Sequence, residues 1–324
     1  MIVVQNNCRN TSLYAKFVIP FAYALTLSAL PVQVFSDRQS YFNYVTDSWF
    51  LLLRNWQQGI LPLLANEPVW LLLNALLGSF LSPENTIRLI VFVAAFIVSR
   101  YLLICSAYPL TISILLLLFP VLLRNHLCAL RNALAASLFL IGWYSNATLR
   151  RWLFLLLTPF VHIAFFFILV LIVVSKTLVR LRFGADVRQL VFIIIGILFA
   201  LGAVTVAQMV GARHGYVYQG VVRAGEVSGL GFLFWFFVLG LMFLEGKTYL
   251  RENVLCVAAI TFYLTSYLFT DIGARAFESV VAPVLVTCTF LTGVRRRLFL
   301  AVISVYMVVF YVTRSGQPWL GFAA

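Results

Sequence analysis

Apolar runs of the length needed to cross a bilayer recur along nearly the whole chain. A helix needs about 20 apolar residues to span the hydrocarbon layer. A window of that order picks out 17–35, 68–82, 86–104, 107–123, 132–149, 152–175, 190–211, 229–245, 253–270, 276–294 and 298–313. The segments 68–82 and 107–123 are short, and are expected to tilt or to turn back within the layer. Composition points the same way. Charged residues make up 10% of the 324, against about 25% in soluble domains, and mean hydropathy is +1.01. The expectation is an all-α fold, a polytopic transmembrane helical bundle of about 10–12 spans. It forms one integral membrane domain over residues 1–324.

The first run, 17–35, follows Arg9 and Lys16, is too long for a signal-peptide core and has no convincing cleavage site. It therefore reads as a retained first span. The longest hydrophilic connections are 36–67, 176–189 and 211–228. Lys176, Arg180, Arg182 and Arg188 mark 176–189 as cytoplasmic, and Arg295, Arg296 and Arg297 mark the turn before the last run likewise. Asp37, Asp47 and Glu67 suit 36–67 to the outer side. If every run spans, Arg124 and Arg131 fall inside and Arg150–Arg151 outside; one re-entrant segment reverses that pair. Loop orientation explains most of the formal net charge of +13, which argues against nucleic acid as a partner. Cys8, Cys105, Cys128, Cys256 and Cys288 are scattered and form neither a disulfide framework nor a metal spacing. His126, His162 and His214 are not at metal spacing either, so neither metal nor cofactor is expected.

An ionisable side chain at membrane depth is costly and marks a candidate site or pathway. The stretch "RNHLCALRN", residues 124–132, puts Arg124 and Arg131 two turns apart, about 10 Å along one face of a continuous helix. Such a pair either snorkels to lipid headgroups or grips a diphosphate, whose oxygens accept forked hydrogen bonds. In "DRQSYFNYVTD", residues 37–47, Asp37, Tyr41 and Tyr44 share a helical face. The rings suit the membrane interface together with Trp49 and Trp56, or a sugar surface on which pyranose rings stack. Glu67 precedes Pro68 at the start of an apolar helix. Its carboxylate is either favoured by the helix dipole or catalytic. His162 lies midway along 152–175, near Pro159. It either hydrogen-bonds Thr158 or a neighbouring helix, or serves as a general base. Arg213, His214 and Arg223 accompany Tyr216 and Tyr218 on a Gly-rich loop. Arg275 lies between Asp271 and Glu278, where an i, i+4 ion pair with Asp271 competes with a role in a site.

Taken together, these residues resemble the bacterial polysaccharide repeat-unit polymerases (O-antigen and exopolysaccharide) of the Wzy/EpsG type. The resemblance rests on D-x-x-x-Y-x-x-Y at Asp37, Tyr41 and Tyr44, and on E-P at Glu67 and Pro68. It continues with R-x-x-L-A at Arg131, Leu134 and Ala135, and with His162 one element later. It covers roughly residues 37–165, with looser matches at 211–229 and Arg275. The family's histidine is often followed by proline–serine or a small polar pair; here Ile163 and Ala164 follow.

The resemblance implies a membrane glycosyltransferase similar to the GT-C type, in the bacterial inner membrane, with its site on the periplasmic face. Such an enzyme moves a growing glycan from undecaprenyl diphosphate onto a sugar hydroxyl of another undecaprenyl-diphosphate-linked repeat unit. It uses neither metal nor nucleotide sugar, and a chain-length regulator and a flippase are its expected company. The implied catalytic groups are His162 and Glu67. Arg131, Arg124, Arg275, Arg213 and Arg223 would surround the diphosphate, and Asp37, Tyr41, Tyr44, Tyr216 and Tyr218 would hold sugars. Two other readings stay open. A transporter or flippase of lipid-linked sugars also uses membrane arginines and broken helices, although the chain shows no clear internal repeat. A membrane acyltransferase acting on polysaccharide is the second.

Overall fold

The computed structural model describes residues 14–209, 211, 229–267, 269 and 271–323. Among these the fold is all-α. The chain runs through α1 (Ile19–Ala29), α2 (Arg38–Gln58), α3 (Ile60–Ala65), α4 (Pro68–Gly78), α5 (Pro83–Cys105), α6 (Leu110–Leu117), α7 (Pro120–Leu127), α8 (Leu130–Trp143) and α9 (Thr148–Val161). It continues through α10 (Ala164–Arg180), α11 (Ala185–Met209), α12 (Leu230–Glu245), α13 (Lys247–Glu252), α14 (Val254–Tyr267), α15 (Asp271–Glu278), α16 (Val281–Cys288) and α17 (Gly293–Arg314). One isolated antiparallel bridge joins Phe35 to Ala323.

Two compact units result. The first holds α1 to α9 and the described residues from Phe310 onward. Its post is α5, whose residues Ile87, Ile90, Val91, Ala94, Val98 and Leu102 are buried at helical spacing. Around it pack α1, α2 and α8, while α4 lies on α2 and α9 lies on α8. Two glycines permit the closest of these approaches. A Cβ on Gly78 would lie 2.8 Å from Val45 Cγ1 and 2.9 Å from the Val45 carbonyl oxygen, so α4 rests directly on the backbone of α2. A Cβ on Gly142 would lie 3.0 Å from the Arg151 carbonyl oxygen and 3.1 Å from Leu155, which sets α9 against α8.

The second unit is centred on α14, a helix apolar on every side. It is buried continuously from Leu255 to Leu264, because α10, α11, α12 and α15 enclose it.

Among the described residues, three helices are long and apolar enough to cross a membrane: α5, α11 and α17. On α11 the exposed side chains include Leu190, Ile194, Leu198 and Leu201, and on α17 they include Val305, Val308 and Val312. The pair α6 and α7 passes the same test together, but is bent by 53° at its break. The segment 107–123, expected to tilt or to turn back within the layer, is thus broken rather than straight, as a broken span or a re-entrant loop would be. Pro120 causes it: proline has no N–H to give and pushes Phe119 to extended backbone (φ −60°, ψ 126°). The carbonyls left over at the end of α6 are not orphaned. Tyr23 donates its hydroxyl to the Leu117 oxygen at 3.1 Å, and Tyr311 donates to that of Leu118.

Other runs that hydropathy reads as single segments are split. The run 17–35 is helical in α1 only to Ala29, ahead of Pro31. The run 152–175 is interrupted at His162, and 276–294 is divided between α15, α16 and the start of α17.

Candidate functional site

Three breaks between helices, before α4, before α8 and at His162, converge inside the first unit. Between α3 and α4, Glu67 takes left-handed backbone (φ 59°, ψ 56°), a conformation that side chains other than glycine, asparagine and aspartate seldom adopt. Its carboxylate therefore does not cap α4, the helix it precedes. It turns instead toward two distant segments. Arg131, in the first turn of α8, donates Nη1–H to Oε2 at 2.5 Å. His162 brings Nδ1 to 2.8 Å from Oε1, and the Ile163 backbone N–H donates to the same oxygen at 3.2 Å. Glu67 is buried, with Arg131 and His162 nearly so.

Local sequence explains how each partner arrives. Pro159 stands inside α9 and cannot reach the Leu155 carbonyl four residues back. Thr158 donates its hydroxyl to that carbonyl at 2.7 Å. The helix stops at Val161, and His162 continues with extended backbone (φ −148°, ψ 119°). This opening frees the Ile163 N–H for Glu67.

Arg131 sits on a floor of aromatic rings. Its guanidinium carbon lies 5.5 Å from the centroid of Tyr44, a distance at which the ring quadrupole attracts a cation. Tyr41 stands beside Tyr44, with 6.4 Å between the ring centroids. Both tyrosines are buried on α2 and stand edge-on to Trp70 of α4, at 5.8 and 6.1 Å between centroids. Trp70 is fully buried and its Nε1–H meets no hydrogen-bond partner. Trp49 and Trp56, by contrast, are exposed.

The pairing of the arginines differs from the sequence expectation. Arg124 and Arg131 do not share a continuous helix. The chain breaks at Cys128–Ala129, where Ala129 has φ −105° and ψ 64°, and Asn132 Nδ2 donates to Asn125 Oδ1 across the break at 3.2 Å. The Cys128 and Ala129 N–H groups both turn back to the Arg124 carbonyl. Arg124 is left exposed in the last turn of α7, whereas Arg131 is largely buried. Asp37 likewise stands outside the helical face of Tyr41 and Tyr44. It precedes α2 in left-handed backbone (φ 64°) with its side chain exposed.

Arg275 lies on α15 of the second unit, with its side chain exposed. Arg213, Arg223, Tyr216, Tyr218 and His214 lie outside the described residues. Cys105, Cys128, Cys256 and Cys288 are buried and joined in no disulfide. Among the described residues no three of His, Cys, Asp and Glu converge as a metal site would require.

Two participants escape a reading of the sequence alone. Trp70 looks like one more apolar residue of its run. Arg38, the first residue of α2, looks like a loop cation next to an acid, yet it is buried to 3% exposure, stacked 5.6 Å over Phe35. Its Nε and Nη1 have no hydrogen-bond partner. Burial pulls this guanidinium down to about 10, against the opposing pull of Tyr41 and Cys128. No family model matches the chain, and no curated protein or solved structure is significantly similar to it.

Proposed function

We propose that this protein is a membrane glycosyltransferase that polymerises lipid-linked glycan repeat units, and that Glu67, Arg131 and His162 form its reacting centre. The observation that carries the reading is the carboxylate of Glu67 held between the Arg131 guanidinium at 2.5 Å and the His162 ring at 2.8 Å. An ionised carboxylate only accepts, so the proton of a neutral imidazole resides on Nδ1 and the basic lone pair on Nε2. Glu67 then orients His162 and stabilises it once protonated, the role of the carboxylate in acid–base dyads generally.

In the proposed step, His162 Nε2 takes the proton of an acceptor sugar hydroxyl. The hydroxyl oxygen forms a bond to the anomeric carbon of the donor glycan. The bond from that carbon to the diphosphate oxygen breaks, and undecaprenyl diphosphate leaves with the electron pair. Positive charge beside the developing diphosphate lowers the barrier. Arg131, anchored by one nitrogen to Glu67 and stacked on Tyr44, shares that carboxylate with the imidazole and supplies this charge on this reading. Long apolar helices with outward apolar faces support placing this chemistry in a bilayer, which on this reading is the bacterial inner membrane. A re-entrant α6–α7 pair would bring Arg131 to the outer face, where lipid-linked units are joined.

The test is reconstitution. Purified protein given undecaprenyl-diphosphate-linked repeat units should lengthen them without added nucleotide or divalent metal. Unchanged single units would overturn the reading, and so would a folded, inserted Arg131→Ala variant that lengthens chains as wild type does.

A further inference from the structure

The reaction just described leaves a diphosphate to be held, and one nitrogen of Arg131 is already committed to Glu67. A second buried guanidinium stands at the start of α2, and it lacks such a partner. Arg38 is 3% exposed, and neither Nε nor Nη1 finds an acceptor. A buried donor without an acceptor costs more than the same donor paired, and more again when it is charged. A fold keeps such a group where something completes it.

The surroundings show what would complete it. The 21-residue helix α2 begins at Arg38 with no side-chain cap, because the left-handed backbone of Asp37 turns its carboxylate away. The Arg38 N–H donates to the Phe35 oxygen, which leaves the Gln39 and Ser40 N–H groups and the positive end of the helix dipole at the end of α2 that carries Arg38. Asp37, Gln39 and Ser40 are exposed, so this turn opens to the surface. The Cys128 N–H donates to the Arg124 carbonyl and the Cys128 thiol to the Phe322 oxygen at 3.4 Å, which also accepts the Ser36 N–H at 3.0 Å. The end of α7 that carries the exposed Arg124 therefore lies beside the start of α2, and behind them the site is closed by the chain itself. Tyr41, three residues along α2 from Arg38, shares Trp70 with Tyr44, over which Arg131 lies, so one aromatic cluster links Arg38 to the reacting centre.

We infer that Arg38, with the first turn of α2 and with Arg124 at its edge, forms an anion site for a phosphate or diphosphate group. Its physiological occupant, which rests on the reading above, is the diphosphate of a lipid-linked substrate. This replaces the Arg124–Arg131 clamp expected from sequence with an Arg38–Arg124 one. Helix N-termini and arginine forks are each suited to phosphoryl oxygens.

The experiment uses the full-length protein in phosphatidylcholine nanodiscs, titrated with inorganic pyrophosphate and followed by calorimetry. Wild type should bind, and Arg38→Gln should weaken binding roughly tenfold or more, the loss expected of one charge-assisted contact. Arg38→Gln binding pyrophosphate as wild type does would overturn the site. Because that variant removes a buried group, hydrogen exchange on the wild-type protein gives a second readout. Pyrophosphate should slow exchange at Gln39 and Ser40, and unaltered exchange there would also overturn the site. Two further arms separate the sources. Undecaprenyl diphosphate in the disc should displace pyrophosphate, whereas displacement by phosphatidylglycerol alone would overturn the assignment to substrate in favour of a lipid headgroup. Chain lengthening by Arg38→Gln at the wild-type rate would sink the anion site while leaving the polymerase reading standing. Pyrophosphate binding without any lengthening by wild type would do the reverse.

Discussion

Glu67 accepts from a guanidinium and a backbone N–H and faces an imidazole, so its two neighbours depend on its charge. Glu67→Gln keeps the shape and removes that charge. Stranding one partner of a buried ion pair costs about 3–5 kcal/mol, so the melting temperature of this variant should fall clearly and chain lengthening should be lost. A wild-type melting temperature would show that the pair is not buried as described. His162→Asn is the complementary test. The asparagine amide can replace Nδ1–H against Glu67 but offers no base at the Nε2 position. Stability should therefore change little while the lengthening rate falls by roughly 10²–10⁴, the usual contribution of a general base. Equal losses of folding and activity would instead mark His162 as a packing residue. Glu67, Arg131 and His162 were all legible in the sequence, because each is an ionisable group in or beside an apolar run. Their mutual pairing was not, since the partners are 64 and 95 residues apart. Arg38 was hidden for the opposite reason: the polar stretch around it, with Asp37 adjacent, looks like solvated loop.

At the scale of elements, the site depends on helices that stop. Pro159→Ala would restore an N–H to the Leu155 carbonyl and let α9 run on through His162. The expected result is a protein at least as stable, because a helix-interior proline is disfavoured by about 3 kcal/mol relative to alanine, but with His162 drawn away from Glu67 and lengthening impaired. Unimpaired lengthening would mean the break at His162 is dispensable. Gly78→Ala tests the other side of the site. Its new methyl would meet Val45 at 2.8 Å, and such overpacking costs about 1–3 kcal/mol. It should lower stability and loosen the Tyr41–Tyr44–Trp70 floor under Arg131. The breaks at Pro120 and Pro159 could be anticipated from proline itself. The break at Cys128–Ala129 could not, because Cys-Ala-Leu-Arg contains no residue that ends a helix; the Asn125–Asn132 bond and the doubled N–H contacts to the Arg124 carbonyl hold it.

At the scale of the whole molecule, hydropathy correctly marked where apolar helices lie, and overstated how many are long. Only α5, α11 and α17 meet the length and composition of a straight span among the described residues. Hydropathy sums over a window and does not register a one-residue interruption. The outward side chains of α11 offer a direct check of what surrounds them. Leu198 is 64% exposed, and an arginine at the centre of a membrane helix costs about 2.5–3.5 kcal/mol on insertion scales. Leu198→Arg should therefore reduce the amount of full-length protein recovered from the membrane fraction. Undiminished recovery would argue that this face meets water or protein.

The separations within the site also set an order of assembly. During synthesis Glu67 emerges well before either of its partners. At about 5–20 residues per second, roughly 5–20 s pass before His162, 95 residues on, is made. For the first 64 residues of that interval a carboxylate destined for burial has neither of its permanent neighbours, although α4 already has α2 to pack on. The nascent chain should thus be most vulnerable to proteolysis and most dependent on insertion factors while α5 to α8 are still being made.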